Sequence, residues 1–112
     1  MAKITLTKAV ANTAVEITET SLASGTTHSV EMLEKGSYLL TFKAGSSAVD
    51  VTFKAGDSVL SGADLKLSIT ANKTMAVVLN EGQFKVLNGT EANNVLLTVS
   101  GTVSATAVRL PF

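Results

Sequence analysis

His28 is the only imidazole in the chain, so neither a histidine-paired metal site nor a histidine dyad can be built from it. A Ser-His-Asp arrangement would have to be assembled in space by folding, and no Gly-x-Ser-x-Gly elbow marks a nucleophile. Within the polar run Thr26-Thr27-His28-Ser29, His28 reads as an ordinary strand residue. Asp50, Asp57 and Asp64 recur at equal spacing, and the last two sit in Gly-containing turns where carboxylates could meet around a hard cation such as calcium. The pattern is not an EF-hand loop, and turn acids commonly accept backbone N–H bonds. Asp57 and Asp64 are the better pair if a metal binds, and no cofactor is expected. Gly45-Ser46-Ser47 and Gly56-Asp57-Ser58 are not followed by a helix whose N-terminus could hold a phosphate. With no cysteine, thiolate chemistry, disulfides and Cys-zinc sites are all excluded. Too few acid-base and nucleophile pairs remain for an enzyme to be expected.

The elements that would position such groups are short strands. Gly, Asn and Ser recur at short intervals between runs rich in Val, Thr, Ile, Leu and Phe, and the single proline is Pro111. Leu65, Leu67 and Ile69 alternate with Lys66, Ser68 and Thr70, and Val49, Val51 and Phe53 alternate with Asp50, Thr52 and Lys54. Such strands are buried on one face, so two sheets must close over a shared core. Expected strands are 3–7, 14–18, 27–33, 37–43, 48–54, 65–70, 74–80, 83–87, 95–99 and 102–110. So many short strands, with no Trp, favour a jelly-roll over an immunoglobulin domain. The expectation is one all-β domain over residues 1–112, an antiparallel, jelly-roll-like β-sandwich. Residues 9–25 are the least patterned; their Thr-rich flanks favour strand over helix. Thr41-Phe42-Lys43-Ala44-Gly45 recurs as Thr52-Phe53-Lys54-Ala55-Gly56. This reads as two sequential antiparallel strands with similar endings, each closed by a Gly able to take φ > 0. Asn72-Lys73-Thr74 and Asn88-Gly89-Thr90 fit the glycosylation sequon but read as hairpin turns, Asn88-Gly89 as a two-residue one.

At 112 residues the chain is long enough to bury a core without staples. Nine basic and nine acidic residues cancel and lie scattered, so the basic patch of a nucleic-acid binder is missing. The longest apolar runs, such as Met75-Ala76-Val77-Val78-Leu79, fall far short of the ~20 residues of a membrane-spanning helix. Met1 to Thr7 alternates and builds no signal-peptide core, which implies synthesis in the cytoplasm. Zero net charge lowers the repulsion between copies, and self-association or docking is correspondingly easier.

Both ends raise the question of an interface. Residues 1–8 would suit an edge strand or an arm added to another chain's sheet, with Ile4 and Leu6 as its apolar contacts. At the other end, Phe112 beside Pro111 folds back on its own domain or packs on a neighbour.

The order Val51-Thr52-Phe53-Lys54-Ala55-Gly56-Asp57, Asp64-Leu65-Lys66-Leu67-Ser68-Ile69, Glu81-Gly82-Gln83-Phe84-Lys85, Asn88-Gly89 and Val108-Arg109-Leu110-Pro111 resembles the small all-β capsid decoration, or cement, proteins of tailed bacteriophages. The resemblance covers roughly the second half of the chain. It implies a structural virion protein on the capsid exterior, made in the host cytoplasm, that clamps adjacent major capsid protein subunits as a homotrimer. It also implies an interface through the tail Arg109, Leu110, Pro111 and Phe112. Alternatives are another virion β-module (a head-fibre base, tail decoration or receptor-binding tip) or a carbohydrate- or calcium-binding sandwich.

Overall fold

The computed structural model describes residues 2–56, 63–80, 84–87, 89–90 and 92–111. Its strands are β1 (Lys3–Ile4), β2 (Leu6–Lys8), β3 (Thr20–Leu22), β4 (His28–Glu31), β5 (Ser37–Ala44), β6 (Val49–Phe53), β7 (Leu65–Ile69), β8 (Thr74–Asn80), β9 (Asn94–Val99) and β10 (Val103–Arg109). They form two sheets. The first has the order β1-β4-β9-β6-β7; the second has the order β2-β10-β5-β8, with β3 also on β10.

The path is one long antiparallel ribbon folded over on itself. β6 pairs with β7, β5 with β8, β4 with β9 and β3 with β10, all antiparallel. Closing β10 against β5 and β9 against β6 splits the ribbon into two facing layers. Counted from β3, the layers read β3-β10-β5-β8 and β4-β9-β6-β7, the strand order of a jelly roll. The sheets are mixed rather than wholly antiparallel, because β1 runs parallel to β4 and β2 parallel to β10. The N-terminal segment breaks at Thr5, leaving the first sheet and entering the second, so it fastens one side of the sandwich.

Alternation puts Tyr38, Leu40 and Phe42 of β5 against Val49, Val51 and Phe53 of β6 and Val95 and Leu97 of β9, all buried. The repeated pentapeptides are sequential, but they lie in opposite sheets and do not pair. Their phenylalanines meet across the core, Phe42 edge-on to Phe53 at 5.8 Å between ring centres, with Phe84 6.4 Å beyond. Removing such a buried ring typically costs about 3–5 kcal/mol. Neither terminal glycine has a positive φ. Gly56 is instead dictated by close approach, since a Cβ there would stand 2.4 Å from the carbonyl oxygen of Lys85, whereas a Cβ on Gly45 would meet open space.

Two expected strands do not form. Residues 14–18 are irregular and exposed, because the free edge of β10 that could receive them is already occupied by β2 and β3. In place of strand 83–87, Lys85 makes a single bridge to Val95; Gln83 lies outside the described residues. Val86 and Asn93 close the hairpin that follows, so its connection is longer than a two-residue turn, and Asn88 is likewise outside the described residues. The strand β3, from Thr20 to Leu22, was not expected.

Candidate functional site

Most residues singled out for chemistry are engaged in holding the fold. His28 on β4 is buried at 3% exposure. Its Nδ1 accepts the Ala2 N–H at 3.1 Å and its Nε2 donates to the Ala23 carbonyl at 2.7 Å, a neutral ring joining the N-terminal segment and the β3–β4 connection to the first sheet. Asp64 Oδ1 accepts the Ala55 N–H at 2.7 Å, the ordinary task of a turn carboxylate. Asp50 accepts the Ser68 hydroxyl and pairs with Lys66 at 3.4 Å. Asp57 lies outside the described residues, and no trio of potential metal ligands converges among the described ones.

The terminal candidates are also turned inward. Ile4 is 1% exposed in the chain's own core and Leu6 packs against that core, so β1 and β2 serve as edge strands of this chain's two sheets. Ile4 offers no side chain to a partner. Arg109 sends one guanidinium nitrogen to the Lys35 carbonyl at 2.9 Å, and its Nε lies 3.5 Å from Glu34. Leu110 donates its N–H to the Ser37 carbonyl. Both residues therefore tie β10 to β5 and the turn before it, and both remain partly exposed. Pro111 is exposed, and Phe112 lies outside the described residues. Lys8 bonds Glu34 from the other side. That hydrogen bond and charge, with the charge of Arg109 behind them, hold the Glu34 carboxyl below its ordinary value.

What remains is surface, and the two sheets present different ones. Outward positions of the first sheet carry the ion pairs Lys3–Glu31 and Lys66–Asp50. On the second sheet, register aligns Thr7, Val108, Leu39 and Val78 in one outward row, then Thr106, Thr41 and Ala76, then Ser104, Lys43 and Thr74. Lys43 is the one charge in those rows. The Thr41 and Thr106 hydroxyls bond each other, leaving less polar demand at the centre. β8 closes the far edge with β5 as its bonded neighbour among the described strands, and Val78 there is 55% exposed. A cleft of about 580 Å³ opens at one end of the sandwich, among the turns after β5 and β9, lined by Ser46, Ser47, Ser100, Thr102, Glu19 and Lys43 among others. No aromatic ring lines it among the described residues.

Alternation in the sequence points to the inward face and did not reveal this outward one. The available signal was the absence of charge over 74–80 and over 37–42; joining those stretches into one face needs the β5–β8 register. No family model, no curated protein and no solved structure matches the chain. The fold and geometry define a jelly-roll sandwich whose candidate site is a broad, nearly uncharged sheet face.

Proposed function

We propose that the chain is a structural virion module that decorates the outside of a phage capsid, docking through the outer face of β2-β10-β5-β8 and bridging adjacent major capsid protein subunits. The observation that carries this reading is the uncharged face itself. Its rows of Val, Leu, Ala and Thr can be desolvated against a protein surface with Lys43 as the one charge to be accommodated, whereas the ion-paired first sheet would have to give up several hydrated charges. The jelly-roll order agrees with the all-β resemblance of residues 51–57 and 64–111 by analogy of fold. Each copy needs to contribute only a modest contact, because attachment at many lattice positions adds avidity.

The test is sedimentation of undecorated phage heads mixed with the purified chain. Binding that saturates at a fixed ratio to the major capsid protein is the expected result. A chain that remains in the supernatant at every ratio would reject the reading. The cleft between the turns supports a second reading, a carbohydrate module, since its serine and threonine hydroxyls suit sugar hydroxyls. Its lack of a stacking ring argues against tight binding, and a melting temperature unmoved by a glycan panel or by calcium would exclude ligand binding of that kind.

A further inference from the structure

We infer that the chain pairs with a second copy of itself through β8, the two strands running antiparallel about a two-fold axis at Val77. Sheet edges are ordinarily protected by short strands, charge or proline. Here β1 spans two residues and carries Lys3, β2 spans three and carries Lys8, and β3 spans three. β7 carries Lys66, paired with Asp50. β8 differs on every count: it spans seven residues, Thr-Met-Ala-Val-Val-Leu-Asn, with no charge, proline or glycine. It also leaves apolar side chains in solvent on both of its faces, Met75 at 45% exposure on the core side and Val78 at 55% on the outer side.

The strand is complementary to itself in one register. An axis at Val77 sets Met75 opposite Leu79, Ala76 opposite Val78 and Thr74 opposite Asn80, so apolar meets apolar and polar ends meet polar ends. Moving the axis to Ala76 would set Thr74 against Val78 and Lys73 against Leu79. Because the same strand serves both partners, the contact closes at two copies and cannot propagate into a fibre. It would join the two second sheets into one continuous sheet and double the uncharged outer face. This pairing is independent of the capsid reading and differs from the three-fold cluster that the resemblance implies. An edge of this length lies at the small end of specific interfaces, so the pair dissociates on dilution.

The test is light scattering over a concentration series up to about 1 mM, the scale of weak association, followed by cross-linking. The mass is expected to climb from the 11.5 kDa of one chain toward twice that value. The chain has no cysteine, so Ala76→Cys and Val78→Cys each introduce one thiol, at exposed positions that tolerate change. Direct cross-strand neighbours have Cβ atoms within ~5.5 Å, close to disulfide range, while diagonal ones do not. Under mild oxidation the two variants mixed together should therefore form several-fold more covalent dimer than either alone. A mass fixed at one chain throughout, a mass that climbs to three copies, or equal cross-linking by the single variants would overturn the inference.

Discussion

The two outer faces of this sandwich are made by the same alternation and have opposite surface chemistry. The first sheet exposes Lys3–Glu31 and Lys66–Asp50. The second aligns Val108, Leu39 and Val78 across its strands, with Lys43 as the one charge in its outward rows. Exposed ion pairs contribute only about 0–1 kcal/mol each to stability, so the first face is best understood as one kept in water. Val108 in that row is already buried at 7% exposure, whereas Val78 at the β8 end is 55% exposed, so the open apolar part of the second face lies towards β8. The difference teaches that in this jelly roll a binding surface is to be sought where the expected polar outer face fails to be polar.

The largest effect should come from charging the second face. Leu39→Lys, at the centre of its apolar row, is expected to weaken attachment to heads at least tenfold, as a central interface residue does, with the folded far-ultraviolet spectrum retained. Equal loss from Thr52→Lys on the first sheet would erase the contrast between the faces. Next is His28→Ala, which leaves the Ala2 N–H and Ala23 carbonyl without their partners and opens a cavity. About 2–4 kcal/mol should be lost by denaturant unfolding, while attachment per folded molecule stays unchanged; a lost attachment with intact stability would move His28 into the interface. Smaller still, Lys66→Ala should change unfolding free energy by under ~1 kcal/mol and leave attachment alone, and a large drop in attachment would make the ion-paired face the docking one.

The smallest effect concerns Glu34, whose carboxyl is held low by Lys8 first and Arg109 second. A depressed carboxylate stabilises the fold above its unfolded value, near 4.5, and that contribution is lost as pH falls through the lower folded value. Glu34→Gln should slightly flatten the acid side of the stability profile and leave neutral-pH attachment unchanged. A steeper acid limb in the variant would contradict the assignment.

Much of the architecture was legible in the chain because inward positions alternate so regularly. Strand β8 falls where the pattern over 74–80 put it, and β5, β6, β7, β9 and β10 differ from expectation by a residue or so at their ends. The parallel addition of β1 and β2 was not legible, since period-two alternation carries no information on strand direction. Nor was the irregular state of residues 14–18, whose composition suits a strand but whose neighbouring edge of β10 is taken by β2 and β3. The repeated Phe-Lys-Ala-Gly endings suggested neighbouring strands, and only the folding of the ribbon turned them into Phe42 and Phe53 facing across the core. Of the candidate site, Ile4 and Arg109 were visible as terminal and apolar or charged, while the burial of Ile4 and the contacts of Arg109 with Lys35 and Glu34 were not. The outward row of Val108, Leu39 and Val78 is assembled from three distant strands, so no local window could show it.

Lysine labelling tests the central claim most directly, because Lys43 stands on the uncharged face while Lys3 and Lys66 stand on the other and all three are exposed. Acetylation of the chain free and bound to heads, read by peptide mass, should show Lys43 protected on binding and Lys3 and Lys66 as reactive as before. Protection of Lys3 and Lys66 with Lys43 left reactive would contradict the account.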